Sequence, residues 1–152
     1  MQEKQIRWGK VIWAGVLATI IGFVLGFFLY SATNGVYEAY GDLPYAKPVT
    51  SIPAYLSIML AGSVVLTVMF ALVYALIRGG LPGRNAWQKG LSYGLILLVV
   101  NMLPMAFNTW MQIAQPTLLI LVEALNRSIS LMIQAVIIAL VYDAGKPSPQ
   151  GE

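Results

Sequence analysis

Glu123 and Arg127 stand one helical turn apart inside an otherwise apolar run, "LILVEALNRSISLMIQAVIIALVY", Leu119 to Tyr142. A carboxylate and a guanidinium at this spacing can pair with each other or hold a solute, ion or lipid headgroup, while the nearby Arg favours the ionised Glu and weakens a proton-relay role. Asn126 lies between them, and Gln134 extends the same face, since Glu123, Arg127, Ser130 and Gln134 follow at offsets of four, three and four. Glu precedes Arg, the favourable order for a helical pair, and the Arg127 side chain leans back toward Glu123. Asn101, in a neighbouring apolar run, falls at a similar depth. The spacing predicts one buried polar cluster of Arg127, Glu123 and Asn101, with Asn126 and Gln134 beside it.

What surrounds these residues limits their chemistry. The chain has no histidine and no cysteine. That excludes thiol chemistry, disulfides, a histidine general base, and zinc or haem held by His or Cys. No cofactor, metal site or catalytic constellation is expected, and the chain reads as a non-enzyme. The net charge of +3 is small and dispersed, so no nucleic-acid partner is expected.

The cluster must be positioned by membrane helices. Of 152 residues 59% are hydrophobic and 10% charged, against about 25% charged in soluble domains. Mean hydropathy is +0.75. Four segments reach the roughly 20 apolar residues a span requires: Val11–Tyr30, Ile52–Ile77, Gly90–Phe107 and Pro116–Tyr142. The first is read as a retained span, because Tyr30 occupies the position a signal-peptide cleavage site keeps small. Measured from Pro116, Arg127 lies about 16 Å down at about 1.5 Å per residue, near the midplane. Two central charges cost about 5–7 kcal/mol, and the 14 Leu, Ile and Val residues of that span return about 4–8. Span four is thus marginal alone and needs protein contacts.

Lys4, Arg7 and Lys10 precede span one, Arg78, Arg84 and Lys89 lie between spans two and three, and Lys146 follows span four. Across the membrane stands Lys47 alone. Both termini are therefore expected in the cytoplasm. Trp8, Trp13, Trp87, Tyr74 and Tyr142 are expected as interfacial anchors on that side, and Tyr30, Tyr37 and Trp110 on the other. The 31–51 linker, with Gly41, Pro44 and Pro48, reads as an irregular loop laid on the outer surface by its tyrosines, or as a lid. "RGGLPGRNAWQK" reads as a turn flanked by charges that can pair with anionic lipids, and residues 144–152 as a disordered tail.

Small residues mark where helices approach. Gly15, Thr19, Gly22 and Gly26 share one face of span one, and "GFVLG" is a small-xxx-small site. In span three Pro104 is expected to kink the helix or free a carbonyl near Val100. The chain also resembles itself. Trp8, Lys10 and Gly15 match Trp87, Lys89 and Gly94 at one offset, and "ALVY" occurs at Ala71–Tyr74 and Ala139–Tyr142. The expectation is one all-α integral membrane domain over residues 1–152, with hairpins 8–78 and 87–142 as a 2+2 parallel repeat.

In size and span count the chain is similar to the small multidrug carriers. Those share a Glu in their first span, which this chain lacks, so their proton chemistry is not carried over. Through "GLSYG", the "ALVY" endings and the Pro-broken third span, residues 8–142 resemble small bacterial four-span proteins built from two similar hairpins. That resemblance implies a fold and no activity. The expected function is an accessory, assembly or structural protein of the plasma membrane, embedded in the bilayer as a homo-oligomer or with a membrane-protein partner. The alternative is a solute, ion or lipid site centred on Glu123 and Arg127.

Overall fold

The computed structural model describes residues 6–40, 51–113 and 115–144. Among them every regular element is helical: α1 (Trp8–Tyr40), α2 (Ile52–Ile77), α3 (Ala86–Leu97), α4 (Leu103–Gln112) and α5 (Thr117–Asp143). A single π turn, Leu98–Met102, joins α3 to α4, so that Ala86–Gln112 forms one span. Four helices are therefore long and apolar enough to cross a membrane, which defines a multi-pass membrane protein.

The second and fourth spans begin and end within a residue of their expected limits. The first runs ten residues further, to Tyr40. No proline interrupts it, and its polar extension is bonded along the helix. The Thr33 hydroxyl donates to the Leu29 carbonyl at 2.8 Å, and the Asn34 amide donates to Glu38 one turn on. Residues 31–40 are thus helix rather than irregular linker, and Tyr37 stands on α1. Gly41, Pro44, Pro48, Lys47 and the proposed lid lie outside the described residues, as do Lys4, Lys146 and the tail beyond residue 144.

The third span bears the mark of Pro104. The Leu103 amide bonds to the Leu98 carbonyl, a five-residue reach, just before the proline that has no N–H to give. The widened turn absorbs the missing donor and lets the helix run on to Gln112, and α5 begins at Thr117. The loop between α2 and α3 is a tight turn. Gly83 sits at φ 131°, where a side chain is strained, and the Asn85 side chain caps α3 by accepting from the Gln88 amide at 2.8 Å.

Between membrane helices there is no hydrophobic driving force, so close backbone approach and hydrogen bonds decide the packing. α5 is the central element, touching α1, α2, α3 and α4, while α1 also packs on α2. Glycines set these approaches. A Cβ on Gly15 would stand 2.6 Å from the Val68 Cα, and one on Gly90 would stand 2.7 Å from the Val136 Cα. Gly94 receives the Met132 thioether and Gly22 the Gln134 carboxamide. Gly26 differs: nothing lies within contact of its face, so the second glycine of "GFVLG" brings no helix close within the chain.

The N-terminal ends of α1 and α3 and the C-terminal ends of α2 and α5 meet at one end of the bundle. Burial is concentrated there. In α1 it covers Val11 to Gly22, in α2 Thr67 to Ala75, in α3 Gly90 to Leu97 and in α5 Ala135 to Tyr142, with a smaller buried group of Met102, Leu119 and Ile120 where α4 meets α5. At the other end α2 is bare on every side from Ile52 to Gly62, and α4 buries nothing. The molecule is a bundle closed at one end and open at the other.

Candidate functional site

Two polar groupings stand at opposite ends. At the closed end Asp143 accepts from the Arg78 guanidinium at 2.7 Å and from the Tyr74 hydroxyl at 2.8 Å. Arg78 and Arg7 both stand over the Tyr142 ring, at 4.9 and 5.4 Å from its centre. Arg7 also donates to the Tyr142 carbonyl at 3.0 Å, and Lys10 to the Ala144 carbonyl. The Tyr74 ring meets Tyr93 and Tyr142 edge-on, and the Tyr93 hydroxyl donates to the Phe70 carbonyl at 2.7 Å. This clasp joins α1, α2, α3 and α5.

Tyr74 and Tyr142 are therefore core residues and not lipid-facing anchors. Both are fully buried because their hydroxyl and ring faces find polar and cationic partners inside the bundle. Trp8, Trp13, Trp87, Tyr30 and Trp110 are exposed, as anchors must be. Sequence reading missed the clasp. Its signal was the repeated "ALVY" ending, whose two tyrosines meet ring to ring. Two turns below Tyr74, α1 and α2 are knotted by Thr19 and Thr67, whose hydroxyls lie within hydrogen-bonding distance of each other and each 2.9 Å from the Gly15 carbonyl, the two protons being shared among these contacts.

At the open end the residues singled out from sequence are divided among several contacts. Glu123 and Arg127 line one crevice against α4, with Met102, Met105 and Thr109, but they form no ion pair with each other. Arg127 donates to the Met105 sulfur at 3.6 Å and is otherwise exposed. Asn126 turns the other way and donates to Thr33 of α1 at 2.9 Å. The Tyr37 hydroxyl stands beside Asn126 and within electrostatic reach of Glu123 and Arg127. Asn101 sits half-buried in the π turn, and no hydrogen bond links it to the charged residues. Gln134 lies deeper, against Gly22.

The exposure of Arg127 is informative because of the face it occupies. Leu131 and Ile138 stand four and eleven residues further along α5, on the same face. Leu131 packs against the core, and Ile138 is 0% exposed. The same holds on α2, where Thr67 is buried while Leu60 and Leu56, seven and eleven residues earlier on that face, are bare. On α5 the same face is covered again further out, where Ile120, seven residues before Arg127, is 5% exposed, so the opening is confined to the level of Arg127 and the bare half of α2, which bound a cleft.

Depth follows from the helices themselves. Counted from Tyr142 at the closed end, Arg127 lies about 22 Å and Glu123 about 28 Å along α5, in a hydrocarbon layer about 30 Å thick. Both charges therefore sit in the half of α5 nearer the open end. On the other side of the α4–α5 contact runs an apolar groove of about 290 Å³, lined by Phe107, Trp110, Leu121 and Thr117. It shares Ala106, Ile120 and Ala124 with the crevice that holds the two charges.

No family model, curated protein or solved structure matches the chain.

Proposed function

We propose that the chain is a plasma-membrane protein with both termini in the cytoplasm, closed toward the cytoplasm and open toward the outside. Its two hairpins, 8–78 and 87–142, are halves of a parallel repeat, and Glu123 and Arg127 form a binding site in the outer cleft for a solute, ion or lipid headgroup. The carrying observation is the exposure of Arg127 on the core face of α5. The orientation is supported by the gathering of Arg7, Lys10, Arg78, Arg84 and Lys89 at the closed end. The repeat is supported by the meeting of Tyr74 and Tyr142.

The natural absence of cysteine makes the test clean. Leu60 and Val65 are 43% and 64% exposed, on opposite faces of α2. A water-soluble, membrane-impermeant thiol reagent added outside intact cells should label Leu60→Cys and spare Val65→Cys. Equal protection of both would mean that no aqueous cleft exists.

Assembly with a second membrane protein or a second copy is the other reading. The bare outer half of α2, Ile52 to Gly62, favours it. That reading requires a stoichiometric partner to survive pull-down in mild detergent, and a monodisperse monomer carrying only lipid would dismiss it.

A further inference from the structure

Glu123 and Arg127 line one crevice, yet neither satisfies the other. Among the described residues the Glu123 carboxylate takes no hydrogen bond, and Arg127 gives one guanidinium nitrogen, Nη1, to the Met105 sulfur. From α1 the Tyr37 hydroxyl stands within electrostatic reach of both charges, and from α4 Met105 and Thr109 border them. A ligand of one sign arriving here meets one attractive and one repulsive partner. A ligand that carries both signs meets two attractive ones.

Room and exposure decide which end goes where. The crevice has space for about 10 Å³, enough for one water-sized group. Glu123 lies half-buried in it, whereas Arg127 is exposed. The cationic end therefore enters, and the anionic end stays outside on the guanidinium. A primary ammonium is close to water in size and donates three hydrogen bonds. Glu123 accepts one. The Thr109 hydroxyl gives its own proton to the Met105 carbonyl at 2.9 Å, and its oxygen can accept another. A trimethylammonium group is too wide for this space and has nothing to donate. At the mouth, the guanidinium nitrogens not engaged by Met105 can take a carboxylate through paired N–H bonds. We propose that the outer cleft binds a small, water-soluble amino acid as its zwitterion, the ammonium on Glu123 and the carboxylate on Arg127. This rests on the orientation and the cleft proposed above.

The test titrates the full-length protein in mild detergent at neutral pH with glycine, acetate, methylammonium and trimethylglycine, read by ligand-observed NMR. Wild type should bind glycine about tenfold more tightly than each of the other three, the increment expected of one charge-assisted contact. Glu123→Gln should weaken glycine about tenfold and strengthen acetate, because the carboxylate that repels acetate is gone. Arg127→Gln should weaken glycine and strengthen methylammonium for the mirror reason. A gain for one ligand beside a loss for another does not arise from a damaged fold. Arg127→Lys, which keeps the charge, should hold most of the glycine affinity. Binding of acetate or methylammonium by wild type as tight as that of glycine overturns the proposal. So does loss of glycine in either neutral variant without the matching gain, and so does trimethylglycine bound as well as glycine, since the crevice would then not seat the ammonium. Labelling of Leu60→Cys without a preference for glycine leaves the cleft standing and removes this ligand. Failure of Leu60→Cys to label removes the cleft and this inference with it.

Discussion

Asp143 holds more of the bundle together than any charge inside the apolar runs. It accepts from Arg78 and from Tyr74, and both members of its ion pair are largely buried. Removing one partner of such a pair leaves the other charge stranded, which costs more than the pair contributes. Asp143→Ala should therefore destabilise the folded protein by about 2–3 kcal/mol, and Asp143→Asn, which can still accept from Tyr74, by about 1–2. Denaturant titration in mixed micelles, followed by helical circular dichroism, measures both. An Asp143→Ala protein as stable as wild type would mean the clasp is idle. The residues of this clasp were legible one by one but not as a group. Tyr142 and Asp143 are adjacent, and Tyr74 and Arg78 are one turn apart, so each half is visible in the sequence. Their meeting depends on which helix ends share a level, and spacing within a helix carries no such information. Glu123 and Arg127 show the converse. Their spacing within α5 is that of a pair, yet Arg127 finds the Met105 sulfur on α4.

At the scale of the helix, the small residues of α1 separate into two kinds. Gly15 lies against the Val68 backbone, whereas Gly26 meets open space. A methyl group at Gly15 would meet the Val68 Cα and backbone N as well as its Cγ2, so moving the side chain alone does not make room. Gly15→Ala should cost about 1–3 kcal/mol by overpacking. Gly26→Ala should be neutral or stabilising by up to about 1 kcal/mol, since it removes a helix-weakening glycine without a clash. The same micelle titration decides this, and equal loss in both variants would place an unseen helix against Gly26. Two spans could be bounded from hydropathy because Ser51, Pro116 and the charged ends punctuate them. α1 could not, because its polar extension looks like a loop in composition while carrying no residue that stops a helix before Tyr40. Pro104 was readable in kind, since a missing donor must be absorbed somewhere, but a π turn and a kink are equivalent answers to that need.

Across the whole molecule the contrast between the ends is the feature that relates fold to function. Tyrosines, an ion pair and glycine-mediated contacts close one end, and five of the six cationic residues of the described chain, all but Arg127, gather around it. At the other end α2 stands apart with its core face uncovered, and Arg127 of α5 is exposed beside it. Such a shape has consequences only if its orientation is fixed, and the positive charges are the physical ground for the orientation proposed above. Lys and Arg resist translocation across a membrane, so that proposal keeps the end that carries them inside. Arg84 is exposed in the turn between α2 and α3, and Ala39 is exposed near the far end of α1. In intact cells an impermeant maleimide should react with Ala39→Cys within minutes. Arg84→Cys should react only after the membrane is permeabilised. The Arg84 site also removes one of the orienting charges, so a second inner position, Gln88→Cys, guards against a change caused by the substitution itself. Reaction of both inner sites from outside would invert the molecule. The cleft would then face the cytoplasm, out of reach of any ligand or reagent supplied from outside.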